Sequence, residues 1–188
     1  CSGHLDFKDR DCHFIFGDVC TAMILENKDT ANSNNCFEII STKCITQFSN
    51  NIRNNFGFLN NAKKSSPLDR DLLFMQEGRK VFKEVVPMVS QLIIDHLNEE
   101  KIEIEEIKRL WLHQANKSMN DFIGKKVLGR VPEEHEQPNI LQDYANTSSA
   151  GSIIAFSLYS QDLKSNEVGV LCSFGAGYSA GSIILKKL

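Results

Sequence analysis

The segment 71–96 carries a helical period, and that period restricts what the chain can fold into. Val81, Phe82, Val85, Val86, Val89, Leu92 and Ile93, with Leu97 just beyond, recur at three- and four-residue steps, which places them on one face of an α-helix. Such a face needs a sheet or a second helix to cover it. Pro87 falls inside the run, where its ring and missing N–H predict a kink or a break into two helices. Stretches rich in β-branched and apolar residues flank the helix: 36–45 (CFEIISTKCI) before it, and 109–113 (RLWLH), 168–174 and 179–185 after it. Between these, 117–128 reads as a helix with Gly129 as its stop signal. Another helix is expected at 149–158, with Ala150, Gly151 and Ser152 small enough for close packing. Upstream, 13–26 (HFIFGDVCTAMILE) predicts two short strands around the Gly17-Asp18 turn. Residues 27–35 then read as a hairpin loop, 47–67 as a surface excursion and 98–108 as a charged connection. Strands alternating with helices predict one layered α/β domain over 1–188, a mixed β-sheet with helices packed on it.

The 188 residues, 41% hydrophobic, can supply one well-buried core. A net charge of −3 offers no basic stripe for nucleic acid. No apolar run approaches the roughly 20 residues of a membrane helix, and the polar first residues do not read as a secretory signal. A start without Met suggests a fragment or a processed product. The six cysteines include no CxxC pair and no Cys/His cluster with zinc spacing, so no zinc site is expected; no bound cofactor is expected either. Cys20 and Cys172 lie in apolar stretches and are expected to be buried thiols. The combination reads as a reduced, cytoplasmic protein.

His113 stands where a predicted strand ends and a helix begins, in the tetrapeptide HQAN. Carboxyl ends of strands are where α/β sheets place ligand groups. His4, His13, His96 and His135 have no such context and read as structural. Asn146 lies in YANTSSAGS, ahead of a predicted helix, where a plain helix N-cap is the competing reading. The run Ser173-Phe174-Gly175-Ala176-Gly177-Tyr178 joins the last two strands. A tight hairpin turn would explain it, and so would a need for backbone N–H groups close to a substrate oxygen.

In this order the elements resemble the C-terminal half of the β-ketoacyl-acyl-carrier-protein synthase III family, within the thiolase-like condensing enzymes. FGDVCTAMIL resembles the family's FGDGAGAAVL strand pair, and MQEGRKVFKEVVP its MxGxxVFxxAV helix entry. WLHQAN resembles FxxHQAN, NTSSAGSI resembles GNTSAASV, and SFGAGYSAGSIIL resembles the FGGGFTWGSALL terminus. There are departures. Val19 replaces a glycine; Lys117 and Ser118 stand where the family has an Arg thought to help receive the carrier protein; Tyr178, Ser179 and Ala180 stand against Phe-Thr-Trp. The family's nucleophilic cysteine precedes the FGDG strand by tens of residues, whereas only fifteen residues precede Phe16, so Cys1 and Cys12 do not correspond to it.

The resemblance implies a thiolase-like fold, C-terminal half only, from an enzyme that is a homodimer in full-length form. It implies an acyltransferase joining an acyl-CoA-derived group to malonyl-acyl carrier protein with loss of CO2, as in the initiation of fatty acid biosynthesis. Acyl-CoA and malonyl-acyl carrier protein are its implied substrates, and the acyl carrier protein and the absent N-terminal half its implied partners. His113 and Asn146 would stabilise the enolate. Gly175, Ala176 and Gly177 would offer backbone N–H groups to the other oxyanion, and Phe174 would wall the acyl pocket. Without the cysteine, the isolated chain is expected to be inactive. A polyketide- or quinolone-type synthase or acyltransferase of the same fold, or a non-catalytic thiolase-like pairing subunit, are the alternatives.

Overall fold

The computed structural model describes residues 2–31, 33, 35–54 and 73–188. Among the described residues, six strands and four α-helices follow one another: β1 (Phe37–Ser49), β2 (Ile52–Arg53), β3 (Met75–Gln76), α1 (Gly78–Glu99), β4 (Ile107–Leu112), α2 (Lys117–Leu128), α3 (Leu141–Tyr144), α4 (Ala150–Leu158), β5 (Val168–Gly175) and β6 (Gly177–Lys187). The main sheet has the order β1-β6-β5-β4. β6 is antiparallel to both β1 and β5, while β4 and β5 run parallel, so the sheet is mixed as expected. β2 and β3 form a separate two-stranded ribbon.

Period-2 alternation gives the sheet two apolar faces. Leu110 and Leu112 of β4, Val170, Cys172 and Phe174 of β5, and Tyr178, Ala180 and Ile184 of β6 pack with Val85, Val89, Leu92 and Ile93 of α1 and Met119, Ile123 and Val127 of α2. The intervening Trp111, Leu171 and Leu185 join Ile154 and Ala155 of α4 on the other side, where Phe37 and Phe156 meet the Trp111 ring edge-on. Burying each of the large aliphatic side chains contributes about 1.5–3 kcal/mol, and this holds the three layers together. Arg109, 4% exposed, donates to the Tyr159 carbonyl and to Asp162 at 2.7 Å, tying the end of α4 to β4.

α2 begins and ends where its sequence signals lie. The Asn116 side chain accepts from the Met119 N–H at 3.0 Å, and Gly129 takes the left-handed conformation (φ 67°) just past Leu128. α1 differs from expectation, because it runs unbroken through Pro87. Pro87 lies on the exposed face, and so does Lys83, whose carbonyl loses its N–H partner there and can turn to solvent. The helix also starts at Gly78, with Leu73 to Glu77 entering it through β3.

The strand pair expected over 13–26 does not form. Phe16 makes one parallel bridge to Asn146, and 17–27 are irregular. A strand needs a neighbour to take its N–H and C=O groups, and no described strand pairs with 17–27. Ile24 and Leu25 are accordingly 90% and 74% exposed. Of the expected hairpin loop over 27–35, residues 32 and 34 lie outside the described residues; the described ones join no pair of strands, and Thr30 N–H donates to the Asn27 carbonyl. Of the expected excursion over 47–67, the first residues extend β1 to Ser49 and form β2, and 55–67 lie outside the described residues. Cys172 is buried as expected, whereas Cys20 is exposed within the irregular segment.

Candidate active site

β4 and β5 end side by side, and the site is built on that edge. His113 follows the last residue of β4, and its N–H donates to the Cys172 carbonyl at 2.8 Å, as though the ladder continued. The imidazole Nδ1 lies 2.9 Å from the Ser173 hydroxyl, and the ring rests on Phe174 with centroids 4.4 Å apart. The residue is 5% exposed. Burial pushes its pKa down to about 4, so the ring is neutral at pH 7.

The rest of HQAN holds this arrangement. Gln114 is fully buried; its Nε2 donates to the Leu112 and Pro138 carbonyls, and its Oε1 accepts from the Ile140 N–H at 3.2 Å. The end of β4 is thereby tied to the segment leading through α3 to Asn146. Asn116, as described, starts α2.

Asn146 is braced from the irregular N-terminal segment. Its N–H donates to the Ile15 carbonyl and its carbonyl accepts from the Gly17 N–H, each at 3.0 Å. Gly17 is needed there because a Cβ would meet the Tyr144 carbonyl oxygen at 2.3 Å. The Asn146 side chain does not cap α4, whose N-cap is Ser149; its Oδ1 accepts from the Ser148 N–H at 2.9 Å. With the oxygen so engaged, the NH2 group is the end left to donate.

His113, Asn146, Phe174, Gly175 and Ala176 line one cavity of about 1010 Å³. Gly177 is not in that lining; it opens β6 opposite Ser49, with φ at 138°, a conformation glycine tolerates. Residues with no role in the sequence reading also border the cavity, among them His4, Phe16 and Phe74. Ser173 and Gln114 were legible only as members of the quoted motifs, since their partners lie 60 and 26 residues away. The cavity offers hydrogen-bond donors and an apolar wall, which suits stabilisation of a developing oxyanion. No cysteine lines it among the described residues. Cys172 packs its thiol into the α1 side of the core, where burial pushes its pKa up to about 12. Likewise no group of three or more His, Cys, Asp or Glu among the described residues could hold a metal, and no described helix is long and apolar enough to cross a membrane.

Residues 97–187, which carry His113, Asn146 and the glycine turn, match the family described as 3-oxoacyl-[acyl-carrier-protein (ACP)] synthase III C terminal. The whole chain is 62% identical to the β-ketodecanoyl-[acyl-carrier-protein] synthase of Pseudomonas aeruginosa, covering 53% of it. The chain is similar to the C-terminal half of the synthase III family. A β-ketoacyl-[acyl-carrier-protein] synthase III from Clostridium perfringens is 29% identical over 97% of the chain and 55% of its own length. The chain therefore spans about half the length of the curated relatives it matches. In fold it superposes on the Aquifex aeolicus synthase III with a TM-score of 0.74 at 21% identity, over 98% of this chain and 54% of that one. Its mixed sheet with helices is the C-terminal half of the thiolase-like fold. Among the departures from the synthase III pattern, Lys117 is exposed and paired with Asp121 on its own helix at 2.9 Å.

Proposed function

We propose that the full-length protein to which this chain contributes residues 1–188 as a C-terminal domain is a condensing acyltransferase that extends an acyl group with malonyl-acyl carrier protein. An acyl thioester on a cysteine supplied outside this chain would be the electrophile. Malonyl-acyl carrier protein loses CO2, and its electron pair passes into an enolate. The enolate carbon forms the new C–C bond at the acyl carbonyl, and collapse of the tetrahedral adduct expels the cysteine thiolate, which is reprotonated. Neutral His113 and the Asn146 NH2 donate to the enolate oxygen; the backbone at Gly175 and Ala176 faces the other oxyanion. Phe174 walls the acyl site. The single observation that carries this reading is that these groups, from β4, the loop before α4 and the β5–β6 turn, border one cavity.

The Pseudomonas relative is named for a β-ketodecanoyl product. By analogy the acyl group here would hold eight carbons, and malonate would add two. No cofactor would be bound, acyl-CoA would be the acyl donor, and the carrier protein and a second protomer would be partners in the cytoplasm.

The test is made in the full-length protein with His113→Ala and Asn146→Ala. Each should lower CO2 release from malonyl-acyl carrier protein by on the order of 100- to 1,000-fold, the usual cost of one oxyanion donor. Acylation of the cysteine by radiolabelled acyl-CoA should suffer less. Equal losses in both steps would instead make His113 a general base for the cysteine.

A further inference from the structure

We propose that Ser173 is a positioning residue for the condensation: its hydroxyl donates to Nδ1 of His113 and so holds the ring proton on Nε2, the nitrogen left for the cavity. The inference rests on the reading of His113 as an enolate donor and adds how the ring is kept in the one tautomer that can serve it.

A neutral imidazole carries one N–H and one lone pair. Nothing in His113 itself decides which nitrogen holds the proton; the partner of the other nitrogen does. That partner is given by the sheet. Parallel pairing of β4 and β5 sets Leu112 beside Cys172, so His113 emerges beside Ser173. The result is the 2.9 Å contact between Nδ1 and Oγ. Phe174 lies against the ring at 4.4 Å, and with Nδ1 engaged by Ser173, Nε2 is the nitrogen left for the cavity that His113 and Asn146 both border.

A serine hydroxyl can bond Nδ1 in either direction, and the two choices differ at the far nitrogen. If Nδ1 carried the proton, the Nε2 lone pair would face an oxygen gaining negative charge. If the hydroxyl donates, Nε2–H joins the Asn146 NH2 as a second donor toward the same oxygen. Only the second choice makes the cavity attractive to an enolate.

The experiment uses full-length protein with 15N-labelled histidine and long-range proton–nitrogen correlation at pH 7, with the His113→Ala spectrum identifying the signals. The expected result is protonated Nε2 and bare Nδ1. In Ser173→Ala the Nδ1–H form should appear, and malonyl decarboxylation should fall roughly tenfold, the upper range for losing one neutral hydrogen bond. Ser173→Thr keeps a hydroxyl and should restore both. Finding Nδ1–H in the unaltered protein overturns the proposal without needing any variant. So does an unchanged tautomer, or an unchanged decarboxylation rate, in Ser173→Ala. The underlying reading fails separately: normal decarboxylation in His113→Ala would end the enolate role whatever the tautomer.

Discussion

Gly151 sits directly under Gln114: a methyl group added to it would lie 2.9 Å from the Gln114 Cβ and 3.3 Å from the Thr147 hydroxyl. The second position of α4 thus presses on the residue that ties β4 to the Asn146 loop. Gly151→Ala should gain up to about 1 kcal/mol of helix propensity but lose about 1–3 kcal/mol to overpacking. The expected net result is a less stable protein with slower decarboxylation, read by urea unfolding and CO2 release.

Stability should fall as the medium is acidified. The His113 pKa drops from 6.5 to about 4 on folding, so below pH 6.5 the unfolded chain takes up a proton that the folded one refuses. The contribution is fully present above pH 6.5 and is lost progressively down to pH 4, a total on the order of 3 kcal/mol. His96, set against Ser182 at 2.9 Å, shifts in the same direction through burial and steepens the fall. Urea titrations of the full-length protein and of His113→Gln at pH 7, 5.5 and 4 should show the gap between them move by about that amount.

Thiol chemistry should separate two cysteines of the main sheet. Cys44 is exposed on β1, whereas Cys172 is buried with its pKa pushed up to about 12. Iodoacetamide at pH 8 should alkylate Cys44 and leave Cys172 unmodified until the protein unfolds, as mass spectrometry of the peptides would report.

The chain expressed alone should self-associate and bind hydrophobic dyes. Phe14, Ile24 and Leu25 together present a mostly exposed apolar stretch, at 68%, 90% and 74%. It should also show no condensing activity with acyl-CoA and malonyl-acyl carrier protein. A monomeric sedimentation profile at micromolar concentration, or measurable condensation, would contradict this.

Much of the sheet and its helices could be read from local chemistry. Asn116 and Gly129 bound α2 because a cap and a left-handed turn are properties of single residues. β4, β5 and β6 announce themselves by apolar residues that feed two faces. Pro87 was misleading because its cost depends on which face of α1 it occupies, and periodicity does not say which carbonyls can reach water. The 13–26 stretch has strand composition, yet composition supplies no partner edge; its use is instead to brace Asn146 through Ile15 and Gly17. At the site, His113, Asn146 and the glycine turn were visible as motifs. Gln114 and Ser173 lie inside those motifs, but their work is not legible there, because it depends on atoms brought near by the fold.

β4 and β5 are parallel neighbours, and everything from α2 to α4 lies in the excursion between them. His113 and Ser173, 60 residues apart, therefore meet only once that excursion has closed. Loop closure comes before reactivity, and a chain opened anywhere in the crossover keeps all its functional groups while losing their convergence. Decarboxylation should accordingly switch off all at once during unfolding, tracking a single cooperative transition, and never fade by degrees as a site on one contiguous loop could.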